Sequence, residues 1–268
     1  MSREIYEEIV RGWPAEARIR FPSGQFSHTP ETGSTNDDLL AKTRAGEITS
    51  LELLATDYQT KGRGRRGDRW EAVRGRNLLF SLALPLDSPR ETWSRLPQLT
   101  ASLVGNAIEG ILGPGHRLQA KWPNDLLHQG QKLAGILVEI TLKPLPVAIV
   151  GIGINVNLRQ NEFPPALREL ATSLYEVAGC ESNRWFLLGL ILQGFLRQYP
   201  NGITDFHDAS SWISARDFLH GRHLEIRSGR EWVTGTASGI GPRGELLLRK
   251  EDGRVREIVS AEEIRWRQ

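Results

Sequence analysis

Apolar residues follow two different rhythms along this chain. Up to about residue 218, short apolar runs alternate with segments of helical spacing. Ser34-Thr35-Asn36-Asp37-Asp38 precedes LLAK, and a hydroxyl residue followed three positions later by an acid marks a helix start; a helix is predicted over 35–45, stopped by Gly46. Residues 51–58 read as a strand, and 77–84, NLLFSLAL, as a buried strand ending at Pro85. Trp93, Leu96, Leu99, Leu103, Ala107, Ile108 and Ile111 predict a helix over 91–112, ended by Gly113-Pro114-Gly115. Strands are expected at 117–122, 132–141 and 146–156, with Leu126-Leu127-His128 a candidate fourth. Helices are expected at 165–178, 183–199 and 204–215, and residues 1–24 predict a short helix packed at the edge.

Near 218 the rhythm changes. HLEIRS, EWVTGTASGI, ELLLRKE and VREIVSAEEIRW are short strands separated by SGR, GPRG and EDG turns, the spacing of a small barrel or sandwich. The division expected is a larger domain, 1–218, and a C-terminal β unit, 219–268. A unit of about fifty residues has a marginal core, so it should dock on the larger one.

Composition narrows the class. The 268 residues are 39% apolar and 25% charged, ordinary for a globular protein. The apolar stretch around Phe186–Leu196 is too short and interrupted to span a bilayer, so no membrane association is expected. MSREIYEEIV lacks the apolar centre of a secretory signal, and a single cysteine, Cys180, excludes an internal disulfide framework; a cytoplasmic location is expected. No His/Cys cluster has structural-zinc spacing. A net charge of +2 does not by itself imply nucleic-acid binding.

The positive charge is local. QTKGRGRRGDRW, residues 59–70, threads four arginines between three glycines and ends in Trp70. Gly62 to Gly67 formally matches GxGxxG, with Asp87 twenty residues beyond, but a dinucleotide fingerprint needs a helix opening at the third glycine; here Gly75 interrupts and a strand follows. The P-loop pattern is absent. Glycines let a backbone approach a ligand, and arginines offer donor forks to phosphate or carboxylate oxygens; the bland alternative is a solvated loop. Without a ligand, like-charge repulsion predicts a mobile loop. Trp70 suits either stacking on a base or a place in the core. KWPNDLLHQGQKLAGILVE, 121–139, sets Asp125 between Lys121 and Lys132 beside tight turns, as a site for a phosphorylated or carboxylated ligand can. In GIGINVN, 151–157, alternate glycines bare one strand face, for a ligand or for a close helix.

Together, GRGRRG…W, KWPNDL, KLAGILVE and GIGINVN, in this order and spacing and joined by Ser34-Thr35-Asn36, resemble the biotin protein ligases over about residues 26–268. That resemblance implies an α+β fold of the class II aminoacyl-tRNA synthetase/biotin ligase type, a mixed sheet with flanking helices, and a C-terminal SH3-like β-barrel. It implies that Ser34, Thr35 and Asn36, with Gln59, hold the biotin head. Arg63, Gly64 and Arg65 would lie over the biotin carboxylate and phosphate, and Gly135 and Leu137 would line the slot. Lys132 would contact carboxylate and α-phosphate oxygens. Arg65, Arg66, Trp70, Asn124, Lys132 and Asn155 would serve ATP, and Asp125 Mg²⁺. Lys132, Arg65 and Asp125 are the implied catalytic group.

The implied reaction joins biotin to ATP as biotinyl-5′-AMP, then transfers biotin to a lysine of a biotin carboxyl carrier protein. A lipoate or octanoate ligase of the same fold, or a nucleic-acid-binding protein using the basic loop, are the alternatives. Some relatives carry an N-terminal helix-turn-helix repressor domain; the 25 or so residues before the match are too few for it, so no DNA binding is expected. The protein is expected to act as a monomer or a homodimer.

Overall fold

The computed structural model describes residues 2–199 and 201–266. Helices α1 (Ser2–Ile9) and α2 (Ala15–Arg20) lead into strand β1 (Phe26–Thr29), then α3 (Thr35–Arg44), β2 (Glu52–Thr56) and β3 (Asn77–Pro85). Helix α4 (Leu96–Leu112) precedes β4 (Gln119–Lys121), β5 (Asp125–His128), β6 (Gln131–Thr141) and β7 (Val147–Asn155). These strands form one mixed sheet in the order β1-β2-β3-β7-β6-β5-β4, in which β1 and β2 are parallel and the other neighbours antiparallel. Helices α5 (Leu174–Ala178), α6 (Arg184–Gln198), α7 (Asn201–Thr204) and α8 (His207–Ser214) follow. A separate antiparallel sheet closes the chain: β8 (His223–Ser228), β9 (Glu231–Ile240), β10 (Leu246–Arg249), β11 (Val255–Ile258) and β12 (Glu263–Trp266), ordered β11-β10-β9-β8-β12.

The period of two along the long central strands decides which face is core. Leu78, Phe80 and Leu82 of β3, Ile136 of β6 and Ile152 and Ile154 of β7 share one buried cluster with α4 and α6. The opposite face carries Ser81, Gly151 and Leu137 in one register row and Leu79, Gly153 and Gly135 in the next. Beyond those rows, Ala83, Val147 and Ile149 pack under Leu39 of α3. Helix α3 begins as expected: Ser34 caps it, accepting from Asp37 N at 3.4 Å.

Five local expectations differ from the structure. The N-terminal segment is no edge appendage: Ile5, Tyr6, Ile9, Val10, Trp13 and Phe21 belong to the main core, and Tyr6 donates to the Phe21 carbonyl at 2.8 Å. β1 was not expected, since FSHT carries no strong alternation; pairing with β2 makes it a strand. Residues 165–178 are not one helix. Pro165–Leu167 forms a 3-10 turn, Ser173 caps the short α5, and between them Leu170 and Thr172 hydrogen-bond the backbone of Lys132. Tertiary pairing there outweighs helical periodicity. VREIVSAEEIRW is two strands, β11 and β12, on opposite edges of the sheet. The predicted 91–112 helix starts with a 3-10 turn at Arg90–Arg95, and α4 proper begins at Leu96 with Pro97 in its first turn.

The two sheets are stapled at the GPRG turn. Gly244 O accepts from Gln98 Nε2 at 3.0 Å and Trp122 Nε1 at 2.9 Å, Arg243 O from Ser94 Oγ at 2.7 Å, and Pro242 O from Arg95 Nε at 2.8 Å. Trp122, from the KWPND turn, is buried in the core of the C-terminal sheet. The connecting segment pairs with the free edge of β4, where Ala120 bridges Asp217. Among the described residues, no helix is long and apolar enough to cross a membrane.

Candidate active site

A slot opens between the sheet and α3. It is lined at one end by Ser34, Thr35, Asn36 and Gln59, along its floor by Leu79, Gly135, Leu137, Gly151 and Gly153, and at the other end by Arg63, Gly64, Trp70, Asn124 and Lys132. Ser34, Thr35 and Asn36 are buried at the N-terminus of α3. Thr35 N donates to Gln59 Oε1 at 2.8 Å, and Thr35 Oγ1 lies 2.6 Å from Ser81 Oγ. Ser81 Oγ donates to Asn36 Oδ1 at 2.6 Å, and Asn36 Nδ2 to Glu139 Oε2 at 2.7 Å.

The bare strand faces are occupied from above. A Cβ at Gly153 would meet Trp70 Cε2 at 2.6 Å, and one at Gly135 would meet Trp70 Cζ3 at 2.9 Å, while the Asn36 amide lies on Gly151. The indole rests on a shelf that only glycine provides. With Trp70 seated there, the slot retains about 50 Å³ of free space, room for a few waters. A second cavity, of about 340 Å³, lies past Trp70 and is bordered by Lys121, Asp125, Lys132, Asn155, Phe163, Phe218 and Trp266.

The glycine-arginine loop is folded over the slot. Gly64 N bonds Asp68 O, Trp70 N bonds Gly62 O, and Arg63 bridges Arg69, making a tight hairpin with Arg66 at φ +64° and Gly67 at φ +83°. Mutual repulsion is relieved by splitting the arginines among different partners. Arg63 Nη2 meets Asp37 Oδ1 at 2.6 Å and both Glu139 oxygens at 2.9–3.0 Å. The Asp37 bond holds the Arg63 pKa above its ordinary value, against burial and with help from Glu139. Arg69 pairs with Glu71 at 3.2 Å. Arg65 reaches a neighbouring cavity that shares Asn124 and Ile136 with the slot. Burial, then Arg66, push its pKa down, opposed by Asp125 and Glu262.

Around Lys132 the backbone is fixed from three sides: Lys132 N donates to Leu170 O at 2.8 Å, its carbonyl accepts from Thr172 N at 2.9 Å, and Asn155 Nδ2 approaches the same carbonyl at 3.4 Å. Its ammonium lies 2.7 Å from Asp125 Oδ1 and 5.5 Å from the Trp70 ring centroid. Lys121 Nζ stands 4.4 Å from the Trp266 ring centroid, bringing the C-terminal sheet to the rim of the cavity. Burial lowers the Lys121 pKa, Asp125 opposing and Lys132 adding.

The expected site residues are thus brought together with few exceptions. Ser34, Thr35, Asn36, Gln59, Arg63, Gly64, Trp70, Asn124, Lys132, Gly135 and Leu137 border the slot; Asp125 and Asn155 border the adjoining cavity. Arg65 lines a separate cavity and Arg66 is exposed, so neither borders the slot or the adjoining cavity. Asn155 is 4% exposed, and its amide is engaged by Asn77 Nδ2 at 3.0 Å and Thr172 O at 3.0 Å, which makes it a strut under Lys132. Asn124 Nδ2 donates to Ile136 O at 2.9 Å. Ser81, Asp37 and Glu139 were not anticipated as site residues. The available signals were a lone hydroxyl inside NLLFSLAL and an acid ending the apolar alternation of LAGILVE.

Residues 29–157 match the biotin/lipoate A/B protein ligase family, and residues 219–264 match the biotin protein ligase C-terminal domain. The biotin–[acetyl-CoA-carboxylase] ligase of Mycobacterium tuberculosis (strain ATCC 25618 / H37Rv) is 31% identical over 249 residues, 90% of this chain and 88% of that protein. The chain belongs to the biotin protein ligase family. Within it, the bifunctional ligase/repressor BirA of Bacillus subtilis (strain 168) is 35% identical over 227 residues, covering 83% of this chain and 68% of the relative. The solved structure of biotin protein ligase from Aquifex aeolicus in complex with biotin and ATP superposes with a TM-score of 0.77 at 30% identity, over 91% of this chain and 99% of that one. In biotin protein ligase terms, the first match spans α3, the glycine-arginine loop, the KWPND turn and the glycine-bearing strands, the elements that build the slot.

Proposed function

We propose that this protein activates biotin with MgATP to biotinyl-5′-AMP and transfers biotin to a lysine of a biotin carboxyl carrier protein of acetyl-CoA carboxylase. The observation that carries the reading is the slot itself: polar groups at its closed end, a glycine floor, and Lys132 where it meets the second cavity. Family membership supports it, as does a relative's structure holding biotin and ATP.

In this reading the biotin head lies against Ser34, Thr35, Asn36 and Gln59, its chain passes Gly135 and Leu137, and the nucleotide takes the second cavity. A carboxylic acid of ordinary pKa is ionised at neutral pH, so attack on the α-phosphorus requires no base. The obstacle is repulsion between two anions. Arg63 is already neutralised by Asp37 and Glu139, so its part is to hold the loop down. Arg65 has no carboxylate partner among the described residues, and Lys132, paired with Asp125, is held where the slot meets the second cavity. We assign both to the carboxylate and α-phosphate oxygens. Asp125 Oδ1 is committed to Lys132, which makes anchoring its first role. Mg²⁺ arrives as part of the nucleotide substrate. Among the described residues no three His, Cys, Asp or Glu side chains could hold a metal ion by themselves, and Asp125 is the carboxylate nearest Lys132 in that cavity.

Biotin is larger than the present slot, so entry requires Trp70 to leave its glycine shelf with the 61–70 loop. Return of the loop then excludes water from the mixed anhydride until the acceptor amine attacks its acyl carbon and AMP leaves. We further assign residues 1–218 to the catalytic domain, of class II synthetase type, and 219–268 to an SH3-like barrel that supplies Phe218-adjacent Trp266 to the cavity wall. The test is biotin-dependent exchange of labelled pyrophosphate into ATP. Exchange with biotin and Mg²⁺, and none with lipoate, is expected; exchange with lipoate alone would reassign the substrate.

A further inference from the structure

We infer that Glu139 is a specificity-determining positioning residue, which fixes the hydrogen-bond polarity at the closed end of the slot through a relay of Asn36, Ser81 and Thr35. The inference rests on the biotin reading and deepens it. Glu139 lies on β6 two residues beyond Leu137, on the face that carries Gly151 and Ser81 in one register row. It does not border the slot, and no ligand needs to touch it.

The argument is one of proton counting. A carboxylate only accepts, so the Asn36 amide at 2.7 Å must turn its nitrogen to Glu139 and its oxygen to Ser81. Ser81 Oγ, 2.6 Å from that oxygen, must then donate its single proton to it. Ser81 therefore has no proton to give Thr35, and the single hydroxyl proton of Thr35 goes to Ser81 Oγ at 2.6 Å or to Gln59 Oε1 at 3.0 Å. With that proton spent on either partner, Thr35 Oγ1 faces the slot as an acceptor beside Gln59 Oε1, which already receives Thr35 N. Two acceptors side by side form a notch for a ligand N–H. Asn36 borders the slot, and its Nδ2 carries a second N–H beyond the one given to Glu139, which we assign to the ligand as the donor that completes the set. A cyclic urea offers N–H beside C=O and satisfies both. A fatty or lipoyl acid offers neither and would leave buried acceptors unpaired, the most effective form of rejection available to a pocket.

Glu139→Gln tests this, because a glutamine can donate as well as accept and lets the relay reverse. It also loosens Arg63, so a second variant is needed that does not. Ser81→Ala cuts the relay without touching Arg63 or Glu139. Pyrophosphate exchange at saturating MgATP would be measured for both variants, the double variant and the wild type, with biotin and with octanoate. Each single variant is expected to raise the KM for biotin about tenfold, the loss of one or two buried hydrogen bonds, with kcat nearly unchanged. Discrimination between biotin and octanoate should fall by the same factor, and the double variant should be no worse than the poorer single one. Wild-type KM and discrimination in both variants would overturn the inference. So would a fall in kcat confined to Glu139→Gln with Ser81→Ala unaffected, which would show that Glu139 acts only through Arg63. A wild type that activates no biotin would remove the functional reading, and this inference with it; an active wild type matched by its variants removes this inference alone.

Discussion

At the scale of single residues, Lys132 offers the sharpest separation of chemistry from structure. Its backbone is held by Leu170, Thr172 and Asn155, none of which needs the side chain. Lys132→Ala should therefore leave the strand in place, at the cost of leaving Asp125 without its cation. A positioned donor at a developing oxyanion contributes about 3–4 kcal/mol to the transition state, so exchange should fall roughly 10²–10³-fold. The melting temperature should move by only a few degrees. Normal exchange in a normally folded variant would mean that the ammonium serves only its ion pair with Asp125.

Which residues were legible follows from how each works. Lys132, Asp125 and Trp70 stand in short contiguous motifs, and glycine at 135, 151 and 153 is visible as an alternation. Glu139, Ser81 and Asp37 act through contacts made across strands and from helix to loop, at separations of 26, 45, 76 and 103 residues along the chain, for which no local pattern exists. Asn155 is the reverse case. Its place in GIGINVN marks it out, but only the fold shows that its amide is spent on Asn77 and Thr172.

At the scale of elements, the same physics explains where periodicity succeeds. β3 and β7 are buried at almost every position, so their near-continuous apolar runs and their burial agree. The 165–178 segment fails because its backbone partners lie on β6, and residues 1–24 fail because their apolar positions face a core that is assembled from distant helices. The glycine shelf gives an element-level test. Gly153→Ala places a methyl 2.6 Å from the Trp70 indole, so either the ring is displaced or the core is strained. Overpacking of this kind costs about 1–3 kcal/mol. Biotin-dependent exchange should drop at least about tenfold, since the methyl stands in the slot. Trp70→Ala in the Gly153→Ala background should recover the lost thermal stability but not the exchange. Additive destabilisation by the two substitutions would show that the indole does not rest on Gly153.

At the scale of the whole molecule, the KWPND turn has two faces with different duties. Asn124 and Asp125 face the slot and the second cavity, while Trp122 is sunk in the core of the C-terminal sheet and donates to Gly244 O. The C-terminal sheet is small, with a core of short aliphatic residues such as Leu224, Ile226, Leu246 and Leu248. A unit of its size is marginal alone, so its stability should depend on the staple. Trp122→Ala removes a buried indole and leaves Gly244 O with Gln98 as its remaining side-chain donor, a loss of about 3–5 kcal/mol. The wild type should unfold in one calorimetric transition; the variant should show an earlier, separate transition of the C-terminal sheet. Trp122→Phe keeps most of the apolar contact and loses one hydrogen bond, about 1 kcal/mol, and should still unfold in one step. Nucleotide use should track the staple as well, because Trp266 reaches the cavity rim beside Lys121 only while the C-terminal sheet is docked. The KM for ATP should therefore rise in Trp122→Ala at temperatures above the first transition and stay near wild type in Trp122→Phe. A single unshifted transition in Trp122→Ala would show that the Ser94, Arg95 and Gln98 contacts hold the two sheets together without the tryptophan.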